Sequence, residues 1–399
     1  MLRSMYSGIS GMKNFQTKLD VIGNNIANVN TYGFKKGRVT FKDTMNQMIS
    51  GASGAQNNRG GKNPMQVGLG STLASIDLID TQSSMQTTGR ALDLGIDGDG
   101  YFIVSQGNQN YYTRAGNFYL DNTGTLVNAD GLKVQQYDET GRLKDIVVDV
   151  NSVLPSQKTK EIEVVGNLPS SVSGNTEQTQ QIEVVDANGK KHVLDLKTSS
   201  SNGTTWTLTF EDKTLDPAVT LPVTLTYDSV NKKWNNDGST ITLPINSGNG
   251  TPSYLSVKLD LSKLTFGGEE LKAVVTPDGQ EQGSLESFNI GSMGEINGVY
   301  SNGKVVEIGK LAIAKFSNPA GLQKAGSNLL LASVNSGTAN YGVPGNGRGT
   351  LTPGALEMSN VDLSEEFTDM IVAQRGFQAN TRIITTSDEI LQELMNLKR

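Results

Sequence analysis

The stretch LEMSNVDLSEEFTDMIVAQRGFQANTRIITTSDEILQELMNLKR, from Leu356 to Arg399, decides the fold of this chain. Every seventh residue of the stretch is apolar, namely Leu356, Leu363, Met370, Phe377, Ile384 and Leu391. Phe367 widens this stripe, and no proline follows Pro353. A sustained apolar period of seven is typical of a coiled-coil or helix-bundle seam. The stretch therefore predicts one long C-terminal helix whose seam needs a partner.

A second seven-residue series of apolar residues lies at the N-terminus. It consists of Met5, Met12, Leu19 and Ile26, with Leu2, Ile9, Phe15 and Ile22 beside it. We expect this helix to end near Asn30, because Asn is a poor helix former and Gly33 follows as a stop. One interpretation is an ordinary two-helix packing that closes a single globule. We favour a helical region, built from both termini, that is distinct from the β-rich sequence between them.

The composition limits the size of the core and the kinds of chemistry. The 399 residues are 36% hydrophobic and 6% aromatic, with 45 glycines, so we expect about two to four domains rather than one large core. The chain has no cysteine, which excludes disulfides and thiol catalysis. The sequence contains no apolar run long enough for a transmembrane helix, so none is predicted. Lys13, Lys18 and Asp20 interrupt the N-terminal apolar series, so we expect no cleaved signal peptide.

The net charge of −6 conceals an asymmetry along the chain. Residues 1–70 hold nine Lys or Arg and two Asp, a net charge of +7, which leaves −13 on the remainder. A basic end is compatible with nucleic acid or an anionic membrane. No nucleic-acid-binding motif accompanies it, and the acidic C-terminal helix is the nearer complement. We therefore expect protein–protein contact and no nucleic acid.

The middle of the chain changes character twice. Residues 35–70 are rich in Gly, Ser and Asn, which is typical of a loop or extended linker. From Ser71 the hydrophobic period becomes two, which predicts short strands. These are Leu73–Ile79, Leu92–Ile96, Tyr101–Val104, Phe118–Leu120 and Leu132–Tyr137. We expect residues 71–145 and 285–355 to form one inner β-domain.

Residues 146–284 form an insert rich in Thr, Ser, Val and Asn. Alternating stretches such as Thr205–Phe210 and Asn-Gly turns at Asn188 and Asn202 predict hairpins of a separate β-sandwich or barrel. The insert holds the only histidine, His192. It follows Gly189-Lys-Lys without an evident partner, so we expect no acid/base catalysis there.

A calcium loop at Asp97-Gly98-Asp99-Gly100 is also not expected. A calcium loop of the helix–loop–helix type needs Gly at its sixth position and Glu at its twelfth. Counted from Asp97, those positions hold Phe102 and Asn108. The sequence thus predicts no catalytic residue, no metal, no cofactor and no small-molecule substrate.

Two long motifs resemble those of bacterial flagellar axial proteins, the family of rod and hook subunits. The N-terminal motif runs from Ser7 to Met12 and from Leu19 to Lys35, and the C-terminal motif from Ser359 to Phe367 and from Ala373 to Asn380. Within the first, the family motif residues are Asn24, Asn25, Ala27, Asn28, Asn30, Thr31, Gly33 and Phe34. Residues 93–118 are similar to the inner β-domain of the family. The family's rod subunits are mostly shorter and lack an insert such as 146–284, so the resemblance is closest to hook subunits.

The resemblance implies a nested α+β architecture. Residues 1–34 and 356–399 would form a coiled-coil-like helical domain lining a tube, 35–70 a linker, 71–145 with 285–355 the inner β-domain, and 146–284 the outer one. The seam that joins subunits would consist of Leu2, Met5, Ile9, Met12, Leu19, Ile26, Leu363, Phe367, Met370, Phe377, Ile384 and Leu391.

The function that the resemblance implies is structural. A self-assembling, curved and flexible tube would transmit torque from rod to filament as a universal joint. Its partners would be further copies of itself, the rod subunit, the hook cap, the hook–filament junction proteins and the flagellar type III export apparatus. It would lie outside the cell next to the basal body, exported without a cleaved signal peptide.

Two alternatives remain open at this point. One is a distal rod subunit of the flagellar basal body, which would assemble into a straight tube. The other is a secreted β-rich adhesin or carbohydrate-binding protein, which would explain the insert but leave both terminal seams idle. An enzyme is not expected, because no nucleophile motif such as Gly-x-Ser-x-Gly is present.

Overall fold

The computed structural model describes residues 2–54, 60–138, 140–170, 176–200, 202–212, 220–229, 232–246, 252–268 and 270–396. The side chains of Leu2, Arg3, Asn246, Pro252 and Leu394 lie outside this description.

Along the sequence, one long helix precedes and another follows a middle built of strands. The helices are α1 (Leu2–Ala27) and α2 (Leu363–Asn396), and a 3₁₀ turn covers Pro319–Gly321. The strands before the insert are β1 (Gly37–Asp43), β2 (Asn46–Ser50), β3 (Met65–Gly68), β4 (Ser71–Leu78), β5 (Met85–Thr87), β6 (Leu94–Asp97), β7 (Tyr101–Gln106), β8 (Gln109–Thr113), β9 (Tyr119–Leu120), β10 (Leu126–Val127), β11 (Lys133–Tyr137) and β12 (Leu143–Asp145). Those of the insert are β13 (Val153–Leu154), β14 (Glu161–Leu168), β15 (Thr176–Val185), β16 (Lys191–Ser200), β17 (Thr205–Glu211), β18 (Thr220–Asp228), β19 (Lys233–Trp234), β20 (Thr240–Asn246), β21 (Pro252–Asp260), β22 (Leu264–Phe266) and β23 (Lys272–Pro277). The rest are β24 (Gly283–Ile290), β25 (Glu295–Tyr300), β26 (Val305–Lys310), β27 (Ile313–Lys315), β28 (Gln323–Gly326), β29 (Leu329–Leu331), β30 (Asn340–Gly342), β31 (Thr350–Pro353) and β32 (Ala355–Glu357).

The chain folds into two compact units. Unit 1 comprises Met1–Asp149, Phe288–Asn297 and Glu307–Arg399, and unit 2 comprises Val150–Ser287 and Gly298–Val306. Terminal helices packed together, with several β-sheets between them in sequence, confirm the predicted fold class. The four-part division into domains stays a prediction.

The core of unit 1 is a ten-stranded sheet. Its main path runs β28-β29-β8-β7-β11-β10-β9, with β12 on β11 and β27 between β7 and β30. β7 is the most buried strand of this sheet. Its residues Tyr101–Ser105 are buried on both faces of the sheet. Early and late segments also pair as β5 with β32 and β6 with β31. Strands near the two ends of the chain therefore meet in one unit.

The described part of the segment 35–70, which the sequence predicts to be a linker, contains three strands. β1 pairs antiparallel with β4, and β2 pairs with β3 beyond them. The base of this ribbon rests on α1, where Asn14 Nδ2 donates to Ser71 Oγ at 2.8 Å and the Phe15 and Phe41 rings lie 6.5 Å apart. The Gly/Ser composition that predicted a loop falls mainly on residues 51–64, between β2 and β3, of which 55–59 lie outside the described residues.

Unit 2 contains two five-stranded sheets that share a core. One sheet runs β15-β16-β17-β18-β19, and the other runs β20-β21-β14-β22 with β23 on β14. Alternate residues of β17, such as Trp206 and Phe210, point into the core and are fully buried. This alternation is what the sequence predicted for Thr205–Phe210. The sequence predicted either a β-sandwich or a barrel for the insert, and the two sheets form a sandwich.

Two glutamine side chains of β15 bond the free edge of β23. Gln178 Nε2 donates to Ala273 O at 3.1 Å, and Ala273 N donates to Gln178 Oε1 at 3.2 Å. Gln180 repeats both bonds with Val275, each at 3.1 Å. The amides thus stand in for a neighbouring strand at one corner of the sandwich.

Both helices differ from the prediction at one end. α1 ends at Ala27, before the expected Asn30, and residues 28–33 form turns. α2 begins at Leu363 rather than at the predicted Leu356, because Ala355–Glu357 is the strand β32. Asp362 then caps the helix, since Ser364 N donates to Asp362 Oδ1 at 2.8 Å.

Candidate functional site

α1 and α2 pack side by side in opposite directions. Residues near the start of α1 face the second half of α2, and residues near its end face the first turn of α2. The facing pairs are Gly8 with Ile384, Gly11 with Asn380, Phe15 with Gly376 and Asn25 with Glu366. Lys18 Nζ lies 3.2 Å from Asp369 Oδ2, so an ion pair joins the basic N-terminus to the acidic C-terminal helix within the chain, while contact between proteins stays a prediction.

Glycines set the spacing between the two helices. An ideal Cβ built on Gly376 would lie 2.6 Å from Phe15 Cζ, and one on Gly11 would lie 2.9 Å from Asn380 Nδ2. Glycine inside a helix costs up to about 1 kcal/mol relative to alanine. That cost is offset here because larger residues would force the helices apart.

The predicted seam residues fall into two environments. Half-buried are Met5, Met12, Leu19, Ile26, Met370, Phe377, Ile384 and Leu391. Ile9, Leu363 and Phe367 are exposed, and the side chain of Leu2 lies outside the described residues. The most buried apolar residues of the two helices are Ile22 and Ala373. Contact of the seam with other copies of the chain stays a prediction.

α2 retains two exposed apolar stripes after α1 has covered one of its faces. Leu363, Phe367 and Ile371 follow one another at a spacing of four and are 40%, 49% and 53% exposed. Val372, Ile383 and Ile390 are exposed on another face of the same helix. Stripes at helical spacing normally face a partner. The helix pair therefore leaves apolar surface exposed that a partner can cover.

Two asparagines of the motifs fix the chain where it leaves α1 and approaches α2. Asn25 Nδ2 donates to Gly37 O at 2.9 Å, and Gly37 N donates to Asn25 Oδ1 at 3.0 Å. Lys36 N donates to Asn360 Oδ1 at 2.7 Å, while Asn360 Nδ2 donates to Ile79 O at 2.8 Å. Each amide satisfies one donor and one acceptor of the main chain, as a neighbouring strand would.

Gly33 and Phe34 of the N-terminal motif dock the chain on the inner β-strands. Gly33 has a φ of +69°, and a Cβ on it would lie 2.5 Å from Ala115 N. Its own N–H donates to Glu357 O at 2.8 Å. Phe34 is buried, with Lys324 Nζ 4.8 Å from the centre of its ring. Only glycine fits at position 33, in both conformation and space.

The remaining motif residues have smaller roles in the fold. Asn28 Nδ2 donates to Asn24 O at 2.8 Å, and Thr31 Oγ1 donates to Asn28 Oδ1 at 3.1 Å, so both hold the turn after α1. The side chains of Asn24, Ala27 and Asn30 are exposed.

A buried ionic cluster lies between the entry to α2 and the exit from α1. Lys35 Nζ is 2.7 Å from Glu357 Oε1, and Arg114 Nη1 is 3.1 Å from Glu357 Oε2. The Lys35 ammonium also lies 3.8 Å from Asp80 Oδ1, and Tyr101 OH donates to Asp80 Oδ2 at 2.6 Å. Two cations and two carboxylates balance one another in this cluster.

Main-chain groups supply further hydrogen-bond partners to the cluster, although Asp80 Oδ1 and Arg114 Nε make no hydrogen bond within the described residues. Lys35 Nζ donates to Thr81 O at 2.7 Å, Ser83 N donates to Glu357 Oε1 at 3.1 Å, and Arg114 Nη2 donates to Gly98 O at 2.8 Å. Buried charges are tolerated only when they are paired and hydrogen-bonded in this way.

The environment shifts the acid–base equilibria of the cluster. Burial lowers the pKa of Lys35, and the attraction of Glu357 opposes this shift. Burial, with the Asp80 charge and hydrogen bond, raises the pKa of Tyr101. Tyr101 therefore stays a neutral donor. The cluster is therefore a structural ion-pair network that holds these segments together.

Sequence reasoning missed this cluster. Lys35 ends the N-terminal family motif, and Tyr101 and Arg114 lie within 93–118, but nothing in those stretches links them to Glu357, which is 322 positions from Lys35. A local signal was Glu357 itself, a charged residue beside the apolar Leu356 in the predicted helix stripe.

The other groups considered in the sequence have structural partners. Asp97 Oδ1 accepts from Gln82 Nε2 at 2.7 Å, and Gly98 N donates to Gln82 Oε1 at 2.9 Å. His192, which the sequence left without a partner, is buried with its Nε2 3.5 Å from Asp186 Oδ2. Among the described residues, no three His, Asp or Glu side chains are grouped to hold a metal ion. Within the same residues no helix has the length and apolarity to cross a membrane.

Three family models match the chain. "Flagella basal body rod protein" matches residues 5–35, "Flagellar hook protein FlgE/F/G D1 domain" matches 95–167, and "Flagellar basal body rod FlgEFG protein C-terminal" matches 352–397. The first and last matches cover α1 and α2, together with the turns that the asparagines fix.

Full-length relatives agree with these matches. The chain is 38% identical to the flagellar hook protein FlgE of Borreliella burgdorferi, and the alignment covers 100% of both chains. It is 42% identical to the flagellar basal-body rod protein FlgG of Bacillus subtilis, again over 100% of both. The crystal structure of flagellar hook protein FlgE2 from Helicobacter pylori has a TM-score of 0.52 and 13% identity, covering 67% of this chain and 98% of that one. This last likeness concerns the fold alone.

Proposed function

This chain belongs to the family of flagellar hook and basal-body rod proteins, and from that premise we propose that it is the subunit of the hook. Membership of the family makes it a structural protein of the bacterial flagellum and not an enzyme. The finer assignment, to a self-assembling curved tube that joins rod to filament, is our proposal.

The exposed stripes of α2 carry this proposal. Leu363, Phe367 and Ile371 leave an apolar strip open along the first turns of the helix. Exposure of this strip to water contributes no stabilisation. Burying it against a neighbouring molecule is favourable by about 25 cal/mol per Å² of apolar surface. Neighbouring copies of the helix pair would cover the strip in a tube. The stripe thus supports self-assembly through the terminal helices.

The β2–β3 ribbon supports the same conclusion. It carries Met45, Met48, Ile49, Met65 and Val67 in exposed positions, and Met45 is 80% exposed. A two-stranded ribbon without a covering layer is marginally stable in water. Contact with a neighbouring copy would supply that layer.

The contrast between surfaces suggests how a tube of this chain bends. The helix pair offers apolar stripes, which favour close and permanent packing. Thr, Lys and Ser are the commonest exposed residues of unit 2 among those that the structure describes, although single apolar residues such as Val305 are exposed as well. Ion pairs such as Lys258–Glu161 at 3.0 Å lie on the same surface. Polar surfaces exchange neighbours at little cost, because water replaces each lost contact. We propose that the helical lining carries torque while the polar β-surfaces slide, which is the action of a universal joint.

The partners follow from the position of a hook. We propose contacts with further copies of the chain, with the rod subunit at one end, and with the hook cap and hook–filament junction proteins at the other. We propose that the flagellar type III export apparatus delivers the chain without cleaving a leader, to a site outside the cell.

The substitution Phe367→Asp tests the assembly surface. The side chain is half exposed in the monomer, so the helix pair should remain folded while an unpaired charge blocks burial of the stripe. Purified Phe367→Asp should then give normal circular dichroism and no tubes by electron microscopy. Thr368→Asp, on the adjacent exposed position outside the stripe, is the matched control and should assemble. Normal tubes from Phe367→Asp would contradict the proposal.

A distal rod subunit is the second candidate, favoured by the 42% identity to a protein named for the basal-body rod. The two candidates differ in where the chain sits. Immunogold labelling of isolated basal bodies with an antibody to unit 2 should mark the curved segment for a hook subunit. Label confined to the straight rod would establish the second candidate. No observation of the structure favours the adhesin alternative.

A further inference from the structure

A cavity of about 240 Å³ opens beside the ionic cluster, where the turn after α1 meets the β28–β29 hairpin. Its floor is apolar and includes Phe34, Leu78 and Leu330. Its rim is polar and includes Asn24, Ser327 and Lys324. None of the described residues that line it is Asp or Glu. We refer to this space as the Lys324 cavity.

The three rim residues have donors that the fold does not use fully. The Asn24 amide and the Ser327 hydroxyl make no hydrogen bond within the part of the chain that the structure describes. Lys324 Nζ donates once, to Lys35 O at 3.3 Å, and lies over the Phe34 ring. No carboxylate of the described residues lies within ion-pairing distance of it.

The positive charge of Lys324 is not balanced by a carboxylate of the described residues near the cavity. The charges of Lys35 and Arg114, which also line the cavity, are balanced by Glu357 and Asp80 beneath it. Partial desolvation by the surrounding residues lowers the pKa of Lys324, although the residue reaches the surface and is exposed. A carboxylate placed in the cavity would restore that pKa and satisfy the rim donors. The site has the donors for one anion.

We propose that the Lys324 cavity receives an acidic side chain from a second copy of this chain. This proposal rests on the self-assembly argued above and names one of its contacts. The apolar floor would pack the methylene groups of the incoming side chain, while Lys324, Asn24 and Ser327 would bind its carboxylate. A second copy is the favoured source, because residues beyond 70 carry a net charge of −13 and a polymer brings such surfaces to every copy.

The proposal also gives Asn24 a role. The residue belongs to the N-terminal motif, yet its exposed side chain contributes nothing to the fold of the chain itself. On the cavity rim it is placed as a donor to an incoming group.

The test compares the critical concentration for assembly of purified full-length variants, measured by sedimentation. Lys324→Glu places like charges together, and we expect it to raise the critical concentration about tenfold or more. Lys324→Gln should give a smaller increase. Lys144→Glu, an exposed lysine of β12 outside the cavity, is the matched control and should stay within about twofold of the wild type.

Folding of each monomer is checked by thermal unfolding before assembly. Should Lys324→Glu unfold, the comparison rests on Lys324→Gln. If both Lys324 variants assemble as readily as the wild type, the cavity is not an inter-subunit contact. If the wild type itself forms no polymer, the proposed function fails first, and with it the second copy as occupant.

A free anion is distinguished with N-acetylglutamate as the probe. The proposal expects it to raise the critical concentration of the wild type by competition, and to leave that of Lys324→Gln unchanged. Stabilisation of the wild-type monomer by N-acetylglutamate without any effect on assembly would identify a small-molecule anion site, and would overturn the second copy as occupant.

Discussion

Lys35 Nζ and Glu357 Oε1 lie 2.7 Å apart although 322 positions separate the two residues. Their side chains are 3% and 0% exposed. One residue follows α1 and the other precedes α2, so this ion pair closes the unit at the point where both helices join it.

Removing the carboxylate should destabilise unit 1. Glu357→Ala leaves Lys35 and Arg114 buried with Asp80 as their only counter-charge, and breaking a buried pair costs about 3–5 kcal/mol. Hydrogen exchange read by mass spectrometry should show faster exchange in β7 and β8 and unchanged exchange in β16 of unit 2. Glu365→Ala removes the exposed pair with Lys36 and should cost less than about 1 kcal/mol. Equal losses from the two variants would contradict the role assigned to Glu357.

Gly376→Ala should weaken the helix pair. Alanine normally stabilises a helix, but here its Cβ meets the Phe15 ring, and overpacking costs about 1–3 kcal/mol. Gly23→Ala in α1 is the matched control, because no atom lies within 4 Å of its Cβ position. It should stabilise the helix by up to about 1 kcal/mol. Thermal unfolding followed by far-UV circular dichroism measures both, and the two shifts should have opposite signs.

Unit 2 should lose stability in acid through Asp186. Burial raises the pKa of this carboxylate, but the N–H groups of Lys190 and Asn188 and the nearby His192 outweigh burial and hold the pKa below its usual 3.8. The unfolded chain therefore binds the proton more tightly, and the stability contributed by Asp186 is lost as the pH falls through the folded-state pKa.

Trp206 and Trp234, the only tryptophans, both lie in unit 2 and report its unfolding by fluorescence. Between pH 5 and pH 3, Asp186→Asn should lose less stability than the wild type, because the amide keeps the acceptor and cannot titrate. Asp121→Asn in unit 1 should leave this tryptophan signal as it is in the wild type. Parallel pH profiles for Asp186→Asn and the wild type would refute the assignment.

The paired substitution Gln178→Ala with Gln180→Ala should open the corner of the sandwich. It leaves main-chain groups of Ala273 and Val275 unpaired, at about 1–3 kcal/mol for each buried group. It also uncovers a strand edge, which favours association between molecules. Lower stability by tryptophan fluorescence and a larger species by light scattering are expected. Gln181→Ala, on the opposite face of β15, should change neither measurement.

The two helices were predictable because their apolar period repeats over many turns. The start of α2 was not, because Leu356 keeps the seven-residue phase of the helix while lying in a strand. Its burial comes from pairing with β5, a tertiary contact that overrides the local pattern. The Asp362 cap was the better local signal for the helix start.

The ion pair that joins the ends of the two helices could not be predicted from local sequence. Lys35 and Glu357 carry no pattern that links them, since their pairing depends on the antiparallel meeting of distant segments. Asn25 was identified through the family motif, and Gly33 through that motif and as a helix stop. Their physical roles, in a main-chain clamp and a close approach, required the structure. The strands β2 and β3 were hidden because both of their faces are exposed, so they carry no regular alternation of polar and apolar residues.

The ion pair between Lys35 and Glu357 also determines when unit 1 can finish folding. A ribosome delivers the chain from its N-terminus, so Lys35, Asp80 and Arg114 are present long before Glu357. Until that carboxylate emerges, closing the strands around two cations would bury a charge without a counterpart. Closure of unit 1 on this side therefore needs a residue that follows α1 and a residue that precedes α2, and we expect a chain that lacks Glu357 not to complete it.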